Sequence, residues 1–118
     1  MSNLLVISNH PPERWAEEQK EGWDRIDYIP FPQVPATASF EQVVEIATPL
    51  ARAIGEWLSQ NPDGKVCLQG EFTLCYILFR SIDDYIFVFP TTERVVEERQ
   101  KADGSTEKIA TFKFVRWR

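Results

Sequence analysis

Three polar residues in a row, Ser8-Asn9-His10, interrupt this chain where the apolar run Leu4-Leu5-Val6-Ile7 stops and Pro11-Pro12 begins. His10 is the one histidine, the residue type most often used as a general acid or base. The hydroxyl and amide beside it are neutral groups that can hydrogen-bond a phosphate or a ribose. A second group, Gln69-Gly70-Glu71-Phe72, sets a glycine before a helical pattern. Such a glycine lets a ligand approach the backbone, and the helix start offers free N–H groups to an anion. A third, Thr91-Thr92-Glu93-Arg94, adds two hydroxyls and a planar cation suited to phosphate. Each has a plainer alternative: a strand-to-helix loop at His10, a tight turn at Gly70, a β-turn with a surface ion pair at Arg94. The tail Phe112-Lys113-Phe114-Val115-Arg116-Trp117-Arg118 alternates bases with aromatics, which suits nucleotides or the guarding of an edge strand.

The elements that must position these groups follow from periodicity. Leu4–Ser8 reads as a strand buried on both faces. Pro11-Pro12-Glu13 followed by Arg14–Lys20 reads as a helix with proline in its first turn and Gly22 as its stop. Arg25–Ile29 alternates as a second strand ending at Pro30, and Pro30, Pro32 and Pro35 impose an extended connection. Ser39 with Gln42 makes a capping-box pattern. The helix it opens is apolar at Phe40, Val43, Val44, Ala47, Leu50, Ile54 and Leu58, with Pro49 inside it as a site for a kink. After the turn Asn61-Pro62-Asp63-Gly64 come a third strand, Lys65–Gly70, a helix, Phe72–Arg80, and a fourth buried strand, Tyr85–Phe89. Glu93–Lys101 and Glu107–Trp117 flank Asp103-Gly104, a strong hairpin signal. The reading is one α/β domain over residues 1–118, with a Rossmann-like, mostly parallel sheet flanked by helices and a C-terminal antiparallel β-hairpin. In such sheets ligands lie beyond the carboxyl ends of the strands, where the three polar groups fall.

Composition narrows the functional classes. The 118 residues are 43% hydrophobic and 26% charged, ordinary for a globular domain. With no leader pattern and no apolar run near the roughly 20 residues of a membrane span, neither secretion nor a membrane is expected. Two cysteines and one histidine are too few soft ligands for a zinc site, and no Walker or G-x-G-x-x-G sequence is present. Cys67 and Cys75 are read as small buried hydrophobes of a cytoplasmic protein. The net charge of −5 argues against long duplex nucleic acid. It is unevenly spread: residues 1–90 carry −7 and residues 91–118 carry +2.

Taken in order, Ile7-Ser8-Asn9-His10, Leu68-Gln69-Gly70-Glu71-Phe72, Thr91-Thr92-Glu93-Arg94, Asp103-Gly104-Ser105 and the aromatic-basic ending bring a family into view. The chain resembles the small stand-alone CRISPR-associated proteins of type III systems that are related to CARF domains and grouped as ring nucleases. The resemblance implies a CARF-like homodimer whose symmetric cleft binds a cyclic oligoadenylate, usually cyclic tetra-adenylate. It implies cleavage of that ring to linear di-adenylate with 2′,3′-cyclic phosphate ends, without metal or cofactor, which would switch off type III defence signalling. On this reading His10, Asn9 and Arg94 form the catalytic set. Ser8, Gln69, Gly70, Glu71, Phe72, Thr91 and Thr92 form the substrate-binding set. The alternatives are a CARF-like binder that sequesters the ring uncut, and an unrelated interaction protein of Rossmann-like fold.

Overall fold

The apolar run that opens the chain becomes the centre of a small parallel sheet. A computed structural model describes residues 2–118. In it β1 (Ser2–Ser8) is buried from Leu4 through Ser8, as a central parallel strand covered on both faces must be. It lies between β2 (Trp23–Pro30) and β3 (Lys65–Leu68), and both pairings are parallel. Ser8 pairs with Pro30 and Ile7 with Leu68, so the three strands end together at one edge.

The crossover from β2 to β3 is α2 (Phe40–Gln60), and α3 (Phe72–Ser81) follows β3. The capping box forms as expected: Ser39 Oγ accepts from the Gln42 amide at 3.2 Å, and Gln42 Oε1 accepts from the Ser39 amide at 2.8 Å. The helix continues through Pro49 as one element. Leu5, Ile7 and Val66 on one sheet face bury against Val43 and Ile54 of α2 and Leu74 and Leu78 of α3. Leu4, Val6 and Cys67 point to the opposite face. That face is covered by tryptophans rather than by a second layer of long helices: Trp15, Trp23 and Trp117 pack over it. Both cysteines are buried free thiols, and loss of hydration pushes the Cys67 thiol up to about 12.

Two expected elements form differently. The helix over Pro11–Lys20 is a 3-10 turn (Pro12–Arg14) and a single-turn α1 (Glu17–Lys20), with Trp15 extended between them. Extension lets the Trp15 ring meet Trp117 at 5.6 Å, and Trp117 Nε1 donates to the Gln19 carbonyl at 3.1 Å. Tertiary packing here outweighs helix propensity. The fourth strand over Tyr85–Phe89 is a 3-10 turn (Asp84–Ile86) and one parallel bridge, Val66 to Phe87. Ile86 and Phe87 are buried, so the apolar run marked a place in the core without a strand of pairing.

The C-terminal hairpin is present and longer than the sequence suggests. β4 (Pro90–Gln100) and β5 (Thr106–Trp117) pair antiparallel as a sheet of their own, with a bulge between Thr91 and Thr92. Gly104 sits at φ 86 in the connecting loop, where a side chain would be strained. The architecture is therefore mixed α/β: a small parallel three-stranded sheet and a separate antiparallel ribbon. Among the described residues no helix is long and apolar enough to cross a membrane.

Candidate functional site

Strand order decides which polar groups meet. From β1 the chain moves to β2 on one side, then α2 carries it back across β1 to β3 on the other. The order therefore reverses between β1 and β3, and a crevice opens beyond the strand ends at such a point. The two exits that border it are Ser8-Asn9-His10 and Gln69-Gly70-Glu71-Phe72.

Backbone bonds fix these exits. The Gln69 amide donates to the Ile7 carbonyl at 3.0 Å, and the Phe31 amide donates to the Ser8 carbonyl at 3.2 Å. Tyr28 Oη donates to that same Ser8 carbonyl at 2.8 Å. Ser8 is buried, and its hydroxyl accepts the His10 amide at 3.1 Å. Its side chain thus shapes the turn and sets the direction in which Asn9 and His10 leave the sheet. Both of those residues are exposed, as is Gln69. Phe72, the first residue of α3, is 89% exposed, a large aromatic left in water beside the β3 exit.

Glu71 has a structural task. It is the N-cap of α3, and its carboxylate accepts from the Thr73 amide at 2.8 Å and the Leu74 amide at 3.0 Å. The Leu74 amide first, and Thr73 with it, hold the Glu71 carboxyl below its usual range. Two donors that an incoming anion would use at this helix start are therefore already taken by the protein's own carboxylate.

Gly70 is likewise occupied from within. A Cβ there would overlap three atoms of the Phe31 ring. The close approach that needs a glycine is made by a core phenylalanine from the end of β2. Beside these residues a cleft of about 330 Å³ runs along Val34, Ala38, Phe40, Val43, Glu71 and Thr73, near the lower end of ligand-site volumes.

The third group lies on the ribbon. Thr91 pairs with Arg116, Thr92 with Phe114 and Arg94 with Phe112. No strand pairing or side-chain hydrogen bond joins them to the β1 and β3 exits, and among the described residues Arg94 has no ion-pair partner. One chain thus brings seven of the ten candidate residues to a single edge and holds Thr91, Thr92 and Arg94 on another sheet. Sequence reasoning places Pro30-Phe31 at this edge as the exit of the second strand but does not foresee that the Phe31 ring seats on Gly70, and it misses Tyr28 and the Val34–Ala38 wall. The Pro30-Phe31-Pro32 punctuation was the available signal, since it ends β2 at this edge and commits the ring to stay.

A family model described as the uncharacterized protein MJ1673 family matches residues 2–118 of the chain. No curated protein and no solved structure matches it.

Proposed function

The chain belongs to the uncharacterized protein MJ1673 family, and we propose that it is a ring nuclease that binds cyclic oligoadenylate, cyclic tetra-adenylate first, and cuts it to linear di-adenylate. The observation that supports this reading is the meeting of two exposed polar strand exits, Asn9-His10 and Gln69, where the sheet order reverses, beside the exposed ring of Phe72. Nucleotides are commonly held at such a crevice. An aromatic face stacks any base, with each stacked base contributing about 1–3 kcal/mol.

The chemistry is internal to the substrate. A ribose 2′-oxygen attacks its own 3′ phosphorus, the bond from that phosphorus to the 5′-oxygen of the next nucleotide breaks, and a 2′,3′-cyclic phosphate remains. The 2′-hydroxyl gives up a proton and the leaving 5′-oxygen takes one up. Because nucleophile and electrophile share one molecule, in-line positioning and stabilisation of charge on the phosphoryl oxygens are the main tasks. Asn9 and Gln69 amides donate to phosphate or ribose oxygens. The His10 imidazole takes or returns the proton, a role worth on the order of 10²–10⁴ in rate, or about 3–5 kcal/mol. Arg94 would grip a phosphate in bidentate fashion, with Thr91 and Thr92 contacting ribose or adenine from the ribbon. Ser8, Gly70 and Glu71 act by shaping the edge: the turn, the Phe31 seat and the cap of α3.

The test is incubation of the purified protein with radiolabelled cyclic tetra-adenylate and EDTA, followed by separation of the products. Linear di-adenylate with a cyclic phosphate end is the expected result. Intact ring retained by the protein would replace cleavage with sequestration. Ring neither cut nor retained would overturn the reading.

A further inference from the structure

The cleft at the starts of α2 and α3 is apolar along most of its wall. Val34, Ala38, Phe40 and Val43 line it, and Glu71 and Thr73 complete it. Val43 is buried, Val34 and Ala38 are half-buried, and Phe40 is 52% exposed. Its volume of about 330 Å³ sits at the small end of ligand sites, room for one flat ring rather than for a whole nucleotide chain.

This wall is formed before any ligand arrives. The Ala38 amide donates to the Pro35 carbonyl at 3.0 Å, which closes the connection into a turn. The Val43 amide donates to the Ser39 carbonyl at 3.0 Å, and the Ser39–Gln42 capping box holds the first turn of α2. A pocket with its backbone already paired offers its side chains to a ligand at little ordering cost.

Charge then selects what enters. Glu71 is the one charged residue among the described residues that line the cleft. Each of its oxygens accepts one amide, Thr73 at 2.8 Å and Leu74 at 3.0 Å, and each keeps a second lone pair. The carboxyl is held below its usual range, first by the Leu74 amide, so it is ionised at neutral pH and acts only as an acceptor. A phosphate here would meet a like charge, with no Lys or Arg on the wall to offset it. A ribose would leave the apolar wall unused. A flat heterocycle with an amine on its edge satisfies both the wall and the carboxylate.

We propose that this cleft seats one adenine of the cyclic oligoadenylate, with its face against Phe40 and Val34 and its exocyclic amine donating to Glu71. The assignment rests on the ring-nuclease reading and supplies that site's choice of base. Replacing the amine with oxygen, as in an inosinate ring, sets a carbonyl against an ionised carboxylate with no proton between them. Two acceptors left facing one another are how a buried polar site rejects the wrong ligand.

The test is competition of unlabelled rings against retention of labelled cyclic tetra-adenylate by the full chain. Cyclic tetra-inosinate is expected to compete at least tenfold more weakly than cyclic tetra-adenylate. Glu71→Gln should narrow that ratio to about threefold or less, because a carboxamide accepts from an amine and donates to a carbonyl. Ala38→Phe fills the cleft and should weaken binding of the adenylate ring at least tenfold. Circular dichroism checks folding, and Ala36→Phe, from an exposed lining position, serves as a second filler. Equal competition by the two rings in wild type would overturn the assignment. So would a ratio unchanged by Glu71→Gln, or folded filler variants that bind as wild type does. A wild type that retains no adenylate ring overturns the ring-nuclease reading itself, and this assignment with it.

Discussion

Replacing Gly70 with alanine separates two reasons for a glycine at the end of β3. One is that a ligand needs its backbone; the other is that Phe31 does. The backbone at Gly70 is not in the left-handed region, so alanine suits it, and by restricting the unfolded chain it would ordinarily stabilise by about 0.4–1 kcal/mol. Against that stands the Phe31 ring, three of whose atoms lie within the space a Cβ would fill, far inside the roughly 3.5 Å at which carbons touch. Phe31 is part of the main core cluster, and its amide is tied to Ser8, so the ring cannot retreat without opening that core. Forcing an extra carbon into a packed core costs about 1–3 kcal/mol. Gly70→Ala is therefore expected to destabilise by about 1–2 kcal/mol net, a fall in Tm of roughly 4–8 °C for a domain near this size.

The decisive measurement is a double-mutant cycle by urea denaturation. Phe31→Val removes the obstructing ring atoms at a cost of roughly 2–3 kcal/mol, below the Phe→Ala range. In that background Gly70→Ala should become neutral or mildly stabilising, giving a coupling of about 1–3 kcal/mol between the positions. Equal cost in both backgrounds, or a single variant within about 0.5 kcal/mol of wild type, would refute the steric argument. Ligand binding by the double variant then isolates the other role. If it folds and still binds cyclic tetra-adenylate, Gly70 serves Phe31; if it folds and does not bind, the ligand needs the glycine as well.

His10→Ala should slow single-turnover cleavage at least tenfold, about 1.4 kcal/mol, and leave ring affinity unchanged; an unaltered rate removes the imidazole from the chemistry. Arg94→Ala should weaken ring binding about tenfold, measured by equilibrium retention of labelled cyclic tetra-adenylate. Ser39→Ala should lower stability by about 1 kcal/mol through loss of the α2 cap, while Ser39→Asp keeps it in thermal melts followed by circular dichroism. Asp27 is held below its usual range, first by Arg25 and also by the Trp57 indole. Its folded pKa is the lower one, so its stabilisation is present above the unfolded value of about 3.9 and is lost as pH falls through the folded value. Asp27→Asn should therefore reduce the urea midpoint at pH 7 and shrink the drop that wild type shows below about pH 4.

What the sequence made legible was local. The Ser39-Gln42 cap and the Asp103-Gly104 loop depend on residues within four positions of one another, and both form. The strand exits were legible for the same reason, since an apolar run must stop somewhere and the residues after it are then at the edge. What a residue does at that edge depends on partners distant in the chain. Gly70 looked like room for a ligand because Phe31, which fills that room, is thirty-nine positions away. Glu71 looked like a site carboxylate because the amides that claim it, Thr73 and Leu74, are free donors only once α3 starts at Phe72. The Pro11–Lys20 pattern was helical in spacing, but only the arrival of Trp117 from the far end of the chain shows why Trp15 must be extended.

The third group shows the limit most plainly. An apolar run at Tyr85–Phe89 promises a fourth parallel strand, and such a strand would deliver Thr91, Thr92 and Arg94 to the same edge as His10. Periodicity reports burial, and Ile86 and Phe87 are buried. It does not report how many backbone bonds accompany that burial, and here Val66 to Phe87 is a single bridge. Pro90 has no amide hydrogen to extend the ladder, and the chain leaves for the ribbon at that residue. The cation suited to a phosphate thus sits on a sheet that shares no strand with the parallel one, and it reaches an exposed edge only as the ribbon is placed. Trp117, packed on Trp15 and Trp23 and donating to the Gln19 carbonyl, anchors the base of the ribbon, so ring binding by Arg94→Ala is the measurement that decides whether Arg94 acts on the ligand from there.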